Sequence, residues 1–469
     1  MNKAELAGFI IGGMMLLIAI RIPLGAAMFA AGAAGYWYIR DYAIVAQAIQ
    51  KLNWNTSSLV DYFTIPLAPT LFNYLKSLSW STFSKYDLSV IPLFLMMGQF
   101  ASAAGFSRSL FRAANAWVGH MRGGVAQAAI VACAAFGAIS GSSVATAATM
   151  SQVVLPEMKR LNYSDRLATG TLAAGGTLGI LVPPSFILII YAFLAEQSII
   201  KLFAAAVVPG VIAAVFFMIA IGIYVRLYPE HAPAPQIDAS DQKKERMSAT
   251  LEAWPIAAIF ILMFTGIYIG WFTATEGAAI GTSATLLLAI VRARIGWRTI
   301  VKCVLPAAQA SAMIYTMLLG AAMLNTTLAL TQVPADLAEW ASNLGTHPLL
   351  IIGGFLIVFV LLTCVLDELA MMLLFLPVVL PTIRALELWD MTSDERVIWF
   401  GILMLVVISI GLIAPPVGLT VYVVANIARN VPIGEIYRGI VPFLISDVFR
   451  AILLLYFPIL TIFALRFVK

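Results

Sequence analysis

The chain places two adjacent carboxylates inside an otherwise apolar stretch. Asp367 and Glu368 lie between the charge-free runs 340–366 and 369–383. If these runs cross a membrane, an ionisable pair at that depth is costly, and it is by default a candidate for binding a coupling ion or carrying a proton. The alternative is that a helix ends here, which would leave the pair at the membrane interface. We expect Asp367 to be buried and functional.

A cluster of small hydroxylic residues interrupts another charge-free run, 123–156. The cluster consists of Ser140, Gly141, Ser142 and Ser143, followed by Thr146. Small hydroxylic residues often serve close packing between membrane helices. Because this run is too long for a single span and the cluster has loop-like composition, we interpret it as the tip of a helical hairpin. Hydroxyl and carbonyl oxygens at such a tip suit sodium or a polar substrate.

Two double prolines predict interrupted helices. They are Pro183-Pro184, preceded by Gly179, and Pro415-Pro416, preceded by Gly411. Proline lacks an N–H and is tolerated in the first turn of a helix, so each pair predicts the end of one half-helix and the start of another.

New half-helices would begin near Ser185 and Val417. Their unsatisfied N–H groups could hold a carboxylate or a phosphate, and the unwound carbonyls could ligate sodium. The alternative is a packing kink in an ordinary spanning helix.

These features recur in the same order in both halves of the chain. The sequence GILVPP at 179–184 matches GLIAPP at 411–416, and VVLP at 153–156 matches VVLP at 378–381. The second match aligns Ser142-Ser143 with Asp367-Glu368. We therefore predict two repeat halves, 1–228 and 253–469, joined by a polar linker at 229–252. Duplicated broken-helix motifs are typical of secondary transporters.

The composition shows what must position these motifs. Hydrophobic residues make up 62% of the 469 residues and charged residues 11%, against roughly 25% charged in soluble domains. This excludes a cytosolic enzyme, a disordered scaffold and a secreted disulfide framework. The apolar runs reach spanning length without strand-like alternation, so we predict an all-α polytopic membrane protein with roughly ten to thirteen membrane segments, the first of them at 6–20.

Catalytic and nucleic-acid-binding signatures are missing from the sequence. The net charge of +5 is scattered over loops, and the three histidines are far apart. Neither a zinc spacing, a phosphate loop nor a Ser/His/Asp cluster occurs. The three cysteines lie in apolar runs, where we expect them to be buried. We predict a non-enzymatic protein without a cofactor other than coupling ions and without a nucleic-acid partner.

Two further charged sites are interpreted as structural. Glu276, with Thr273 beside it, predicts a short turn between two spans. Asp447 and Arg450 are three residues apart on the last long helix, so they can neutralise each other.

Together the motifs are recognisable. SGSSVA at 140–145, GHMRGG at 119–124, the two VVLP turns, GILVPPS and GLIAPPVGLT resemble the large membrane subunit of TRAP transporters, the tripartite ATP-independent periplasmic transporters of bacteria and archaea. The similarity covers nearly the whole chain.

The resemblance implies sodium-driven uptake of organic acids, such as C4-dicarboxylates or sialic acid, across the bacterial inner membrane. It implies an elevator-type transporter of inverted repeats that works with a small four-helix membrane subunit and a periplasmic substrate-binding protein. It also implies two site regions: the tip 140–146 with the break 179–185, and Asp367-Glu368 with the segment 411–420, which adds Gly418 and Thr420. Sodium would be bound chiefly by carbonyls near these tips, with the substrate carboxylate between them.

This chain departs from the family at two places. A threonine often precedes the second proline pair, where this chain has Ala414, and Thr420 could replace the missing hydroxyl. The segment 41–87 is also longer than usual, and it is either a contact with a partner at the membrane interface or a plain surface excursion.

Other functions remain open at this point. A stand-alone ion-coupled carboxylate transporter would need no binding protein. A membrane subunit of a sodium-pumping decarboxylase would need soluble catalytic partners, and a purely structural subunit would give Asp367 no purpose.

Overall fold

The computed structural model describes residues 3–42, 44–45, 47, 68–233, 239–364 and 366–467. These residues form helices and connecting turns, without a strand among them, so the predicted all-α class is confirmed. The first helices are α1 (Lys3–Ala19), α2 (Leu24–Arg40), α3 (Pro69–Phe83), α4 (Val90–Ala103), α5 (Phe106–Val118), α6 (Gly124–Ser140), α7 (Ser143–Arg160), α8 (Asp165–Leu181), α9 (Phe186–Ala195) and α10 (Ile199–Leu227). They are followed by α11 (Ala239–Ile269), α12 (Ala274–Val291), α13 (Trp297–Leu330), α14 (Val333–Asn343), α15 (Pro348–Thr363), α16 (Glu368–Ala385), α17 (Ser393–Ile413), α18 (Leu419–Ile427), α19 (Ile433–Tyr456) and α20 (Ile459–Ile462). Short 3₁₀ turns lie at Tyr86–Ser89, Pro229–His231 and Phe463–Phe467.

Many of these helices are long and apolar enough to cross a membrane. In the described part of the chain there are 7 such helices, or up to 9 if each of two bent pairs counts as one span. Three shorter apolar helices, Glu5–Ala19, Gly124–Ser140 and Pro348–Thr363, add to this number. The chain is therefore a multi-pass membrane protein, as predicted. The predicted number of roughly ten to thirteen membrane segments is reached only when the three shorter apolar helices are counted as well.

Packing divides the chain into two compact units. One contains Met1–Leu88, Ala310–Thr346 and Met372–Leu386, and the other contains Ser89–Gln309, His347–Met371 and Glu387–Lys469. Every residue predicted for the site belongs to the second unit. The units interleave along the chain, whereas the predicted repeat halves follow sequence order, so the division into halves stays a prediction.

In the first unit, α2 packs closely on the C-terminal part of α13. A Cβ at Gly32 would lie 2.7 Å from the backbone nitrogen of Leu324, and the Thr327 hydroxyl donates a 2.8 Å hydrogen bond to the Gly32 carbonyl. Of the long segment 41–87, residues 43, 46 and 48–67 lie outside the described part. Asp41 is buried and accepts hydrogen bonds from the backbone N–H groups of Thr70 (3.0 Å) and Leu71 (2.9 Å), which ties α3 to the end of α2.

In the second unit, α6 and α7 form a hairpin that packs on α8. The Val125 N–H, near the start of α6, lies 3.4 Å from the hydroxyl of Tyr163, just beyond α7, so the ends far from the break meet. A Cβ at Gly137 would lie 2.7 Å from the Cα of Gly179, and a Cβ at Gly179 would lie 2.6 Å from the carbonyl oxygen of Ser142, so both arms lie against α8 near the tip. The interruption of run 123–156 is thus a helical hairpin, as predicted.

A second succession of helices has nearly the same lengths. Helices α6 to α9 contain 17, 18, 17 and 10 residues, and α15 to α18 contain 16, 18, 21 and 9. The polar turn before α8 and the one before α17 each supply a capping hydroxyl, from Ser164 and Thr392. The motifs paired in the sequence therefore lie at corresponding places in the two successions.

Several smaller expectations are confirmed, and one needs correction. The first helix is present, and Glu276 forms a capping box with Thr273 in the turn between α11 and α12. Arg450 lies 2.8 Å from Asp447, with both side chains 1% exposed, and all three cysteines are free and buried. The predicted linker 229–252, however, is not a loop throughout, because residues 239–252 form the start of α11. This stretch is rich in lysine, glutamate, arginine, alanine, methionine and leucine, which all have high helix propensity.

Helices α8 and α19 cross at a pair of glycines. A Cβ at Gly170 would collide with the carbonyl group of Gly439, and a Cβ at Gly439 would collide with the carbonyl group of Arg166. Small residues let membrane helices approach this closely, so the contact depends on the missing side chains.

Replacing Gly439 by alanine should therefore destabilise the second unit. Forcing a methyl group into this contact must shift a backbone, at a cost of about 1–3 kcal/mol in unfolding free energy. The matched control is Gly434→Ala on the same helix, where a Cβ has open space. Thermal unfolding of the purified protein should show a lower midpoint for G439A than for G434A, and equal midpoints would contradict the close crossing.

Candidate functional site

The tip of the first hairpin is a two-residue break between α6 and α7. Gly141 ends α6 in the left-handed region, with φ of 62°, which favours glycine because it lacks a Cβ. Ser142 follows in an extended conformation, and its hydroxyl accepts a hydrogen bond from the Ala145 N–H at 3.3 Å. The serine and glycine that resembled a loop in the sequence are the residues that end one helix and cap the next.

Two hydroxyl groups face each other behind this tip. Ser140 Oγ and Thr146 Oγ1 are 2.7 Å apart, and Thr146 is fully buried. Each hydroxyl carries two lone pairs and only one proton, so the pair keeps free acceptor capacity that can coordinate a hard cation.

The tip lies against the first proline break. A Cβ on Gly141 would lie 3.1 Å from the Pro184 carbonyl oxygen and 3.3 Å from the Phe186 nitrogen. At Gly179 a Cβ would lie 2.6 Å from Thr146 Oγ1. These two glycines let the backbones of the tip and of the broken helix approach each other.

The first break separates α8 from α9 with a bend of 41°. The Pro183–Pro184 peptide bond is cis, and Ser185 is the extended residue before α9. Both prolines and Ser185 are buried, and the Ser185 hydroxyl has no hydrogen-bond partner among the described residues. A buried hydroxyl without a protein partner at the start of a half-helix is a candidate ligand group.

The second break separates α17 from α18 and is more open. The Pro415–Pro416 peptide bond is also cis, but both of these prolines are exposed. Gly418 precedes α18 with φ of 60°. A Cβ at Gly411 would collide with Thr363 at the end of α15, so the helix that leads into this break packs against the end of α15. The double prolines therefore end one helix and precede another in both halves, as predicted.

Thr420 places a hydroxyl at the end of α17. Its Oγ1 donates a 3.0 Å hydrogen bond to the Leu412 carbonyl. Ala414 offers no hydroxyl, so Thr420 is the side chain that supplies one beside this break.

Sequence reasoning missed Tyr437, on α19. Its hydroxyl lies 2.7 Å from the carbonyl oxygen of Val417 and 3.2 Å from that of Pro416, and it can donate to either. These carbonyls are at the unwound part of the second break, where a helix would otherwise have satisfied them. An interfacial tyrosine in a long apolar helix carries no sequence signal for such a role, because only tertiary packing brings α19 to the break.

The acidic pair is divided between two roles. Glu368 is 6% exposed, and the Ser143 hydroxyl lies 2.9 and 3.1 Å from its two carboxylate oxygens. Asp367 is exposed, and its Oδ1 accepts a 2.5 Å hydrogen bond from the Ala370 N–H at the start of α16. The expectation of a buried Asp367 is therefore wrong: it precedes α16 and caps it, and its neighbour is the buried carboxylate.

The contact between Ser143 and Glu368 joins the tip of the first hairpin to the start of α16. The two dipeptides that the repeat aligned in sequence thus touch in space. Among the described residues, no group of three or more His, Cys, Asp and Glu side chains could hold a metal ion. A cation bound at these breaks would therefore be coordinated by backbone carbonyl and side-chain hydroxyl oxygens, and by no more than two carboxylates. Such oxygen ligands suit a hard monovalent ion.

Comparison with known proteins identifies a family. The model of the family described as "Tripartite ATP-independent periplasmic transporter, DctM component" matches residues 11–460. A C4-dicarboxylate TRAP transporter large permease protein, DctM of Pseudomonas aeruginosa, is 32% identical over 366 residues, covering 78% of this chain and 83% of that protein. The sialic acid TRAP transporter large permease protein SiaM of Vibrio cholerae is 26% identical, over 79% of this chain and 84% of its own.

Two further matches extend the comparison. The isethionate TRAP transporter permease protein DctMQ of Oleidesulfovibrio alaskensis is 28% identical over 79% of this chain and 56% of its own length. Among solved structures, the YdaH transporter of Alcanivorax borkumensis aligns with a TM-score of 0.63 and 14% identity, over 91% of this chain and 98% of that chain. At this identity the likeness shows the fold alone.

The Ser143–Glu368 contact predicts energetic coupling between two distant parts of the sequence. Ser143→Ala, Glu368→Ala and the double variant form a cycle whose interaction term should be about 0.5–3 kcal/mol, because hydrogen-bonded neighbours are not additive. The measurement is the shift in thermal unfolding midpoint of each purified variant. Ser409→Ala combined with Glu368→Ala is the control, since the Ser409 hydroxyl bonds within its own helix. Additive effects in the first cycle would show that the contact does not form.

Proposed function

Because this chain belongs to the DctM family of tripartite ATP-independent periplasmic transporters, we propose that it is the large permease subunit of a sodium-coupled importer of organic acids. Membership in the family establishes a multi-pass permease of the bacterial inner membrane rather than an enzyme. The relatives named above are transporter permease proteins, which gives the decarboxylase alternative no support. Sodium coupling, the substrate class and the mode of movement are proposals.

The observation that carries the proposal is the buried contact between Glu368 and Ser143. A carboxylate removed from water is stable only with compensating hydrogen bonds or a cation. Here one hydroxyl faces it within the described residues, and the hairpin tip with its free acceptor oxygens lies next to Ser143 in the chain. Bound sodium near this point would compensate the charge and would link ion binding to closure of the tip.

The substrate is proposed to be a small organic anion. The relatives are named for C4-dicarboxylates, sialic acid and isethionate, which share an acidic group. The starts of the half-helices α9 and α18 offer backbone N–H groups and positive dipole ends, which favour negative charge. The buried Ser185 hydroxyl and the Thr420 hydroxyl stand at these two starts and are proposed to contact the substrate or its coupling ion.

We propose that the second compact unit is the moving part of an elevator mechanism. Its support is that both breaks, the first tip and the acidic pair all belong to this one unit, so that the unit could carry bound ion and substrate as a body. As partners we propose a separate small four-helix membrane subunit and a periplasmic substrate-binding protein, since the family is tripartite.

Reconstitution tests the coupling. The chain and a small subunit are reconstituted in proteoliposomes, and the binding protein is added with labelled C4-dicarboxylates, sialic acid or isethionate. When an inward sodium gradient is imposed, the proteoliposomes should accumulate one of these acids. A potassium gradient of the same size is the control and should give no accumulation. Uptake that ignores sodium would contradict the coupling, and equal uptake without the binding protein would favour a stand-alone transporter.

Ser185→Ala tests the first break as part of the site. Losing one hydroxyl ligand should cost about 0.5–1.5 kcal/mol of binding, which is roughly a two- to tenfold increase in the half-saturating concentration of substrate or sodium. The unfolding midpoint should not fall, because no protein hydrogen bond is lost.

Ser409→Ala is the matched control for this variant. Its buried hydroxyl donates 2.9 Å to the Leu405 carbonyl, so its removal should lower stability slightly and leave both half-saturating concentrations unchanged. If S185A and S409A behave alike in transport, Ser185 is not a ligand.

A further inference from the structure

An apolar groove with a cavity volume of about 780 Å³ runs between α10 and α19 in the second unit. Its basic end adjoins the second proline break, because Arg438 follows Tyr437, whose hydroxyl lies 2.7 Å from the Val417 carbonyl oxygen. Its apolar lining includes Phe216, Ile219, Ile223, Val441, Ile445 and Phe449. The rings of Phe216 and Phe449 approach to 5.7 Å between centroids, so the two helices meet at these residues.

The apolar walls of the groove face outward. Ile223 of α10 is 53% exposed and Ile445 of α19 is 65% exposed. On α10 the exposed residues recur every fourth position, so they form one stripe along the helix. They are Val211, Val215, Ile219, Ile223 and Leu227. Because α10 and α19 are both long enough to span a membrane, an exposed apolar stripe on them is suited to contact lipid hydrocarbon.

One part of the groove is basic. Arg166 and Arg438 line it together with Tyr224 and Tyr228. Glu435 binds both guanidinium groups, with Nε of Arg166 2.9 Å from Oε2 and Nη1 of Arg438 2.7 Å from Oε1. Two arginines against one carboxylate leave one net positive charge, and each guanidinium keeps donors that Glu435 does not use. The shared carboxylate holds the two cations side by side.

The basic residues lie near helix ends. Arg166 is the second residue of α8, Arg438 is in the second turn of α19, and Tyr228 directly follows α10. The Ser164 N–H before α8 also donates 3.0 Å to the His231 carbonyl after α10, so these ends are at one level. In a membrane protein this level is the interface, where the phosphates of lipid headgroups lie.

We propose that this groove is a specific site for an anionic phospholipid, with its phosphate against Arg166 and Arg438 and an acyl chain along the apolar walls. Charge complementarity argues for this occupant. The groove has an arginine pair at interface depth and apolar walls beyond it, and a phospholipid has a phosphate followed by an acyl chain in the same order. A zwitterionic lipid would bring its own cation beside the arginines, and an apolar protein helix would bring no anion, so an anionic lipid complements the net positive charge best.

Native mass spectrometry and thermal unfolding of the full-length purified protein test the site. Phosphatidylglycerol titrated into the delipidated protein should be retained and should raise the unfolding midpoint, whereas phosphatidylcholine of the same chain length should do so at least tenfold more weakly. Arg166→Gln combined with Arg438→Gln should remove this difference. Arg298→Gln, at an exposed arginine of α13 outside the groove, is the control and should keep it.

A second variant separates loss of lipid binding from the general loss of stability that the double arginine variant would suffer when Glu435 is left unpaired. Ile445→Trp fills the groove while leaving both arginines in place, and it should weaken phosphatidylglycerol retention. Ile261→Trp, at a similarly exposed position of α11, should not. Equal retention of the two lipids by the native protein, or unchanged retention in both the arginine pair variant and I445W, would overturn the proposal. So would protection by inorganic phosphate alone, or exclusion of the lipid by a bound small subunit.

Discussion

A backbone that leaves its helix inside a membrane must find other partners for its N–H and C=O groups, and the second unit is organised around this constraint. Irregular backbone at membrane depth persists only where protein or a hydrated cavity surrounds it. Here the tip at Gly141 lies on the first proline break, and carbonyls of the second break lie within reach of the Tyr437 hydroxyl. The first break is covered by the hairpin tip, whereas the second is more open and has two of its carbonyl groups within reach of a tyrosine hydroxyl.

The sequence predicted the elements of this site well because the signals are local. Serine and glycine density identified the tip, and paired prolines identified the interrupted helices, because each of these residue types acts on its own stretch of backbone. The repeat added a long-range inference: aligning Ser143 with Glu368 named two residues that are in contact. Sequence order alone did not show that they would touch.

What sequence reasoning could not supply depends on side-chain direction and on crossings between distant helices. Whether Asp367 or Glu368 points inward depends on where α16 begins, and a shift of one residue turns the side chain by about 100° around the helix. The role of Tyr437 depends on α19 reaching a break that lies earlier in the chain. The interleaving of two compact units depends on packing that no local pattern records.

The crossing of α8 and α19 also has a mechanical meaning. Gly170 and Gly439 fit against each other's backbones without intervening side chains, while the residues on either side of each glycine carry Cβ atoms. Sliding either helix along its axis would bring one of those Cβ atoms against a carbonyl group of the other helix, so the contact resists sliding sterically. Any displacement of α19 must therefore move α8 with it, and with α8 the first break at its far end. The groove at the start of α8 and the first proline break are therefore mechanically coupled through α8, although they lie at opposite ends of that helix.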